Sequence, residues 1–304
     1  MTTMIPFKEG ERGLDWLALT DALAAGHKLP KAEVEDVFLY RDGNTLLNRS
    51  AWIEGMGLAV KCATVFPKNK AVNKPMIGGA VNLFSDDDGA LEAILDFHLV
   101  TKWKTAGDSL LAARRLARPD SRNILIVGAG TVGRSLYEAY RAAFPDAVFT
   151  VWNRSPQGAI DFHNDLPDVS IAEDLETAVR AADIVTSATM STEPLIKGEW
   201  LHAGQHIDLI GAYRPDMREV DDEALLRSRV FVDNMHTTVG HIGELKIPIS
   251  QSVIGPDHVV ANYYDLGAFK RHDADEITLF KNGGGAHLDL MTSRYILDAW
   301  RVKC

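Results

Sequence analysis

Residues 124–133 of the chain read ILIVGAGTVG. The apolar run from Ile124 to Val127 is typical of a strand buried in a parallel sheet, and the glycines after it match the GxGxxG pattern. In that pattern Gly128 makes a tight turn, Gly130 admits a pyrophosphate close to the backbone, and Gly133 lets the next helix pack against the strand. The N-terminus of that helix directs backbone N–H groups at the phosphates. The predicted dinucleotide contacts are Gly128, Ala129, Gly130, Thr131, Val132 and Gly133.

Short apolar strands alternate with helices after this motif. Strands are predicted at 148–152, 184–187, 206–210 and 230–232, and helices at 133–143 and 175–182. This alternation is typical of a doubly wound parallel sheet. Further cofactor contacts are predicted at Ala188, Thr189, Met190 and Gly211.

Residues up to about 117 differ, because short apolar segments are separated by turns. That pattern favours a mainly antiparallel sheet, followed by a helix at 105–116 that the sequence Arg118-Pro119-Asp120 ends. An amphipathic helix at 286–300 is predicted to pack back onto this first domain. The predicted fold class is therefore α/β, with a Rossmann domain at 118–285 inserted in a discontinuous α+β domain at 1–117 and 286–304.

The end of the second Rossmann strand indicates which dinucleotide binds. An acidic residue here would bond the ribose 2′-hydroxyl of NAD, but the chain has Asn153, Arg154 and Ser155. A guanidinium and a hydroxyl can hold a 2′-phosphate, so NADP(H) is preferred. The alternative is that Arg154 is a solvated surface residue and that Asn153 bonds a ribose hydroxyl, which would admit NAD(H). Arg134, after the glycines, is interpreted as a solvated charge.

Composition excludes several classes of protein. A net charge of -10 argues against nucleic-acid binding. Cys62 and Cys304 are too few for a disulfide framework or a cysteine metal cluster, and no metal is expected. Neither a signal peptide nor an 18-residue apolar run is present. We therefore expect a cytoplasmic protein without a membrane partner.

The residues outside the glycine motif resemble the ornithine cyclodeaminase and mu-crystallin family along nearly the whole chain. The most specific stretch runs from Thr192 to Asp222 and includes GAYRPDMREVDD at 211–222. This stretch is more similar to the ketimine reductase branch, the Δ1-pyrroline-2-carboxylate reductases, than to the cyclodeaminases proper. The resemblance implies a homodimer in which the first domain serves substrate binding and dimerisation. It also implies that the substrate is held between that domain and the nicotinamide.

Family members bind the substrate α-carboxylate with cationic side chains of the first domain, and Lys61 occupies the position of the family lysine. An ammonium in an apolar strand needs a compensating anion, which a substrate carboxylate would supply. The alternative is a lysine that reaches solvent at the strand edge. The family arginine before Thr-Ala is Lys104 here. Arg49, where relatives have Met-Pro, is a candidate to restore the guanidinium, or else a surface-turn residue.

Two further positions bear on the chemistry. Cyclodeaminases carry an aspartate as acid/base where this chain has Tyr213, and a tyrosine with a pKa near 10 is a poor general base at neutral pH. Tyr213 is expected to donate a hydrogen bond or to shape the pocket. His287, on the last helix, is a hypothetical group for polarising an imine.

The resemblance implies NAD(P)H-dependent reduction of a small cyclic imino acid. The first choice is Δ1-pyrroline-2-carboxylate, reduced to proline, and the second is Δ1-piperideine-2-carboxylate, reduced to pipecolate. Hydride transfer to a protonated imine demands mainly proximity and orientation, which suits a site without the cyclodeaminase aspartate. The alternatives are reductive amination as in the alanine dehydrogenases, ornithine cyclodeamination, and NADPH-dependent small-ligand binding of the mu-crystallin type.

Overall fold

A computed structural model describes residues 2–303 of the chain, so Cys304 lies outside the described residues. The strands are β1 (Thr3–Ile5), β2 (Glu33–Arg41), β3 (Asn44–Ile53), β4 (Gly57–Val65), β5 (Ile77–Phe84), β6 (Leu91–Asp96), β7 (Asn123–Val127), β8 (Val148–Trp152), β9 (Val169–Ile171), β10 (Ile184–Ser187), β11 (His206–Leu209), β12 (Arg229–Val232), β13 (Val259–Asn262) and β14 (Thr278–Lys281). The helices are α1 (Phe7–Glu11), α2 (Trp16–Gly26), α3 (Phe97–Leu116), α4 (Thr131–Ala143), α5 (Pro156–Asp165), α6 (Leu175–Ala181), α7 (Asp222–Arg227), α8 (Met235–Thr238), α9 (Gly243–Ser250) and α10 (Ala286–Lys303).

The chain divides into two compact units. The discontinuous unit comprises the residues up to Lys104 and those from Gly284 onward, and the inserted unit runs from Thr105 to Gly283. The division therefore lies inside α3, whereas the prediction put it at the end of that helix. The reason is that the second half of α3 is bonded within the inserted unit, where Asn282 Nδ2 donates to the carbonyl of Thr105 at 3.1 Å.

Within residues 2–303 the discontinuous unit has a six-stranded sheet in the order β1-β6-β5-β4-β3-β2. Strands β2 to β6 are antiparallel neighbours, as predicted, and β1 pairs parallel with β6. Helix α10 packs against β3, β4 and α2, so the last residues of the chain complete the core of its first domain.

The pleat of β4 places a charged side chain in a buried row. Successive strand residues face opposite sides of a sheet, and Ala59, Lys61 and Ala63 are the buried residues of one alternating row. Lys61 pairs in register with Arg49 of β3, and Arg49 pairs with Asp36 of β2. The register therefore brings these three charged residues into one line across the sheet.

Helix α3 begins eight residues before the predicted start at 105. Asp96 Oδ1 accepts hydrogen bonds from the backbone N–H groups of His98 and Leu99 at 2.8 and 3.0 Å. This is the bonding pattern of an N-terminal helix cap. Lys104 consequently lies on a regular helix rather than in a loop before one.

The inserted unit has, within the described residues, an eight-stranded parallel sheet in the order β13-β12-β14-β11-β10-β7-β8-β9. The five predicted strands are present, and the predicted fold class is confirmed. From β7 the chain continues to β8 and β9 on one side and later to β10 and β11 on the other. Ligands of open parallel sheets bind at the carboxyl ends of the strands where the order reverses in this way. No helix within residues 2–303 is long and apolar enough to cross a membrane.

Candidate active site

The three glycines after β7 have the geometry that a dinucleotide crevice requires. Gly128 has a φ of 111°, and a Cβ there would lie 2.8 Å from the carbonyl oxygen of Ala188. A Cβ at Gly133 would collide with the carbonyl of Gly128. At Gly130, which precedes the first turn of α4, a Cβ would meet no described atom within 4 Å. The backbone is therefore open where a pyrophosphate would approach the N–H groups of the helix.

Arg134 fastens this glycine loop, so its interpretation as a solvated charge is wrong. Its Nη1 donates to the carbonyl of Ala129 at 2.5 Å, and its Nη2 forms an ion pair with Asp165 at 2.6 Å. The guanidinium lies 4.9 Å from the centre of the Phe162 ring. These contacts connect the loop to α5, which begins after the next strand.

A cleft of about 230 Å³ adjoins the glycine loop. Of the predicted cofactor contacts, its lining includes Gly128, Ala129, Gly130, Asn153, Arg154, Ser155, Ala188, Thr189 and Met190. Asn153 is already engaged there, since its Oδ1 accepts from the Ala129 N–H at 3.1 Å and its Nδ2 donates to the Ser155 carbonyl at 2.9 Å. Arg154 is exposed and has no hydrogen bond or ion pair to any residue in 2–303. Its guanidinium is available to a ligand.

Glu219, which the sequence analysis did not select, connects the loop after β10, which lines the cleft, to the loop after β11. Its Oε1 accepts from the Ser187 hydroxyl and from the N–H and hydroxyl of Thr189 at 2.6–2.8 Å. Its Oε2 accepts from the N–H groups of Gly211 and Ala212 at 2.6 and 3.1 Å. The loops after β10 and β11 therefore share one buried carboxylate. In the sequence Glu219 stands among charged neighbours and looks like a surface residue, so no local signal identifies it.

Gly211 contributes close packing to this arrangement rather than to the lining of the cleft. A Cβ at Gly211 would collide with the backbone of Thr189. Glu244 supports the same segment from behind by accepting from the N–H groups of Glu219 and Val220 at 2.8 and 3.1 Å. Burial, together with the nearby charge of Glu219, raises the pKa of Glu244 to about 7. Within residues 2–303, no group of three or more histidine, cysteine or acidic side chains is placed to hold a metal ion.

The predicted carboxylate-binding residues of the discontinuous unit lie together. Lys104 Nζ and Arg49 Nη1 both donate to the carbonyl of Gly284, at 3.0 and 2.9 Å. Lys61 Nζ donates to Asp289 Oδ1 at 2.9 Å, and Lys104 Nζ lies 3.8 Å from the same oxygen. The side chains of Lys61, Lys104 and Arg49, together with the carboxylates of Asp289 and Asp36, are called the cationic cluster below.

Two alternatives for these residues are wrong. Lys61 is 5% exposed in the middle of β4 and does not reach solvent at a strand edge. Arg49 lies in the middle of β3 rather than in a surface turn, and Asp36 accepts hydrogen bonds from its Nε and Nη2. Lys61 also does not need a substrate anion for charge compensation, contrary to expectation, because Asp289 provides a compensating charge within the chain.

The charges of the cluster perturb one another. Burial lowers the pKa of Lys61 to about 8; the carboxylate of Asp289 opposes this effect, and the positive charges of Lys104 and Arg49 add to it. Burial alone would raise the pKa of Asp289, but Lys104, Lys61 and Arg49 together hold it below its ordinary value. Asp289 is therefore ionised at neutral pH, and Lys61 titrates within reach of physiological pH.

The two remaining predicted side chains are Tyr213 and His287. Tyr213, in the loop after β11, is 58% exposed, with its ring 5.6 Å from the Arg214 guanidinium. His287 lies on α10, as predicted, but it is fully buried. Burial lowers the pKa of His287 to about 3, which keeps its ring neutral at pH 7.

Comparisons with known proteins identify the family of the chain and agree with its fold. The family model "Ornithine cyclodeaminase/mu-crystallin family" matches residues 41–303. The Δ1-pyrroline-2-carboxylate reductase of Paracoccus denitrificans is 51% identical over 291 residues, which cover 93% of this chain and 92% of that protein. The structure of Thermococcus litoralis Δ1-pyrroline-2-carboxylate reductase in complex with NADH and L-proline superposes with a TM-score of 0.90 at 25% identity, covering 99% of this chain and 98% of that one. A dimeric archaeal alanine dehydrogenase with bound NAD gives a TM-score of 0.90 at 26% identity, covering 99% and 97%.

Proposed function

Because the chain belongs to the ornithine cyclodeaminase/mu-crystallin family, we propose that it is an NAD(P)H-dependent reductase of cyclic imino acids. The substrate of first choice is Δ1-pyrroline-2-carboxylate, which is reduced to proline, and the second is Δ1-piperideine-2-carboxylate. The observation that carries the proposal is the cationic cluster. Its three cations, Lys61, Lys104 and Arg49, face two carboxylates, Asp289 and Asp36, which leaves one positive charge for a substrate carboxylate.

The chain's part in the reaction is to bind and orient. A bound nicotinamide would supply the hydride that reduces the C=N bond to an amine. Lys104 and Arg49 share the Gly284 carbonyl as an acceptor, so both donors converge on one point where a carboxylate oxygen can replace or join it. Anchoring the carboxylate in this way fixes the position of the adjacent C=N bond, and orientation of this kind supplies a large share of the barrier reduction.

The crevice of the inserted unit fits a dinucleotide, because the backbone at Gly130 is open and the helix α4 begins directly after it. We propose NADP(H) as the preferred form. The exposed side chains of Arg154 and Ser155 border the cleft, and the described residues that line it include no carboxylate to repel a 2′-phosphate. The amide of Asn153 is occupied by the loop, which reduces its capacity to select a ribose hydroxyl.

We further propose a homodimer, with β2 in the interface. This strand is at the edge of its sheet and exposes Val37, Phe38, Leu39 and Tyr40, the last at 74%. An exposed apolar edge strand is an association surface, and a second copy of the chain is the proposed occupant because the archaeal alanine dehydrogenase is a dimer. Sedimentation of the purified protein should give the mass of two chains, and a monomer at micromolar concentration would contradict the proposal.

A panel of substrates tests the activity. Loss of NAD(P)H absorbance is measured with Δ1-pyrroline-2-carboxylate, Δ1-piperideine-2-carboxylate and pyruvate, the last with and without ammonia. We expect rapid reduction of a cyclic imino acid without added ammonia. Turnover of pyruvate that requires ammonia, with no turnover of either cyclic substrate, would replace the proposal with an alanine dehydrogenase activity.

A further inference from the structure

One oxygen of Asp289 has no hydrogen-bond donor among residues 2–303. Oδ1 is bonded by Lys61, whereas Oδ2 is buried without a partner. The residue is 1% exposed. A buried polar atom without a partner destabilises a fold, and a charged one does so more strongly. Such an atom inside a cluster that binds ligand is therefore a candidate for contact with the ligand.

The charges around Asp289 Oδ2 are complementary to one class of ligand. Lys61, Lys104 and Arg49 surround Asp289 with positive charge and keep it ionised. Cations and one carboxylate oxygen without a donor among residues 2–303 thus lie in the same buried cluster. An α-iminium carboxylate has the complementary pattern, because its carboxylate is attached to the carbon of the C=N⁺–H group.

We propose that Asp289 Oδ2 accepts a hydrogen bond from the protonated imine nitrogen, which makes the site selective for α-iminium carboxylates. This inference rests on the proposed function and deepens it. The hydride adds to the imine carbon, the π electrons of the C=N bond become the lone pair of the nitrogen, and its N–H bond is kept. The neutral amine then takes a proton from water. Asp289 transfers no proton and acts by binding and by favouring the charged form of the imine.

The same contact discriminates against 2-oxo acids. A keto oxygen would present a lone pair to the Asp289 carboxylate, and two acceptors repel each other. Sites that hydrogen-bond a donor of their substrate reject analogues that lack it, because the buried acceptor is then left unpaired.

Two planar carboxylates that differ in one ring atom test this in the unmodified protein. Pyrrole-2-carboxylate has an N–H at the position of the imine nitrogen, and furan-2-carboxylate has a ring oxygen there. Dissociation constants are measured by calorimetry with the protein and NADP⁺. We expect pyrrole-2-carboxylate to bind about 10- to 100-fold more tightly, the range for a hydrogen bond to a charged group. Equal affinities would overturn the proposal.

Asp289→Asn and the matched control Asp298→Asn, on the same helix α10, locate the effect. An amide can donate to the furan oxygen as well as accept from the pyrrole N–H, so Asp289→Asn should reduce the ratio to below about threefold. Asp298→Asn should keep the wild-type ratio, because Asp298 is exposed and lies outside the cationic cluster. An unchanged ratio in Asp289→Asn would refute the assignment. If that variant does not fold by circular dichroism, the wild-type ratio alone decides.

The outcome is separable from that of the proposed function. A protein that reduces the cyclic imino acid but binds both analogues equally rejects the role of Asp289 alone. One that selects pyrrole-2-carboxylate but does not turn over any cyclic imino acid retains the binding contact and rejects the proposed reaction.

Discussion

Replacing Lys61 with methionine should lower kcat/KM for the imino acid by ~30- to 1000-fold, because one charged contact to a carboxylate contributes about 2–4 kcal/mol. Methionine keeps an unbranched apolar chain of similar length in the buried row of β4, so the loss reports the ammonium. Dinucleotide affinity should stay within about threefold of wild type, since the crevice residues all belong to the inserted unit. It is measured by quenching of tryptophan fluorescence.

The pH dependence makes this prediction sharper. Burial lowers the pKa of Lys61 to about 8, so the ammonium is lost as the pH rises through that value. The dissociation constant of pyrrole-2-carboxylate should therefore rise up to tenfold per pH unit above about 8, as this ligand does not itself titrate there. Lys61→Met should show no such rise. Lys61→Arg should bind without a break up to about pH 10, because a guanidinium stays charged.

The free energy of unfolding is the control for the Lys61→Met prediction. Below about pH 8 Lys61 is protonated in the folded and unfolded chains, and its lowered pKa of about 8 against 10.5 means that burial of the charge destabilises the fold by roughly 3 kcal/mol. The free energy of unfolding accordingly increases between about pH 8 and 10.5 in wild type. Methionine removes this penalty but leaves Asp289 with one cation fewer, so the net change at pH 7 should be within ~2 kcal/mol. A variant that retains wild-type kcat/KM, or a wild-type affinity that does not change between about pH 7 and 10, would remove Lys61 from the site.

Three other predictions test the remaining assignments. Wild type should prefer NADPH over NADH by ~10- to 150-fold in kcat/KM. Arg154→Ala should remove most of that preference, and Asn153→Asp should reverse it. Equal kcat/KM values with NADH and NADPH in wild type would make Arg154 a surface charge. Ornithine should not be converted to proline and ammonia, and Tyr213→Asp alone should not create that activity; useful turnover would show that the missing aspartate is not decisive. Glu219→Gln should reduce the free energy of unfolding by about 2–4 kcal/mol and weaken NADPH binding, since an NH₂ group would then face buried donors. Urea melts measure the free energy of unfolding, and fluorescence titrations measure NADPH binding. The control Glu199→Gln, at an exposed site, should change neither quantity.

The Rossmann strands could be predicted because their signals are local. An apolar run followed by GxGxxG is unambiguous in context, and β8, β10, β11 and β12 share the apolar character. Strand β14 could not be predicted in the same way. It ends in Lys281, which is fully buried and donates to the carbonyls of Leu209 and Asn282 at 2.8 Å. A lysine in a four-residue segment indicates an exposed position unless the remote acceptor, the carbonyl of Leu209, is known.

The cationic cluster could not be predicted in full either, because its members are remote from one another along the chain. An ammonium in an apolar strand needs a neighbouring anion, and the family resemblance directed attention to Lys61. Which anion serves cannot be derived from spacing, because Asp289 is 228 residues away and reaches Lys61 through the packing of α10 against β4. Periodicity describes the face of each element and carries no information on which remote elements meet. A polar residue that violates the pattern of its own strand therefore locates half of a buried pair, and the three-dimensional structure must identify the other half.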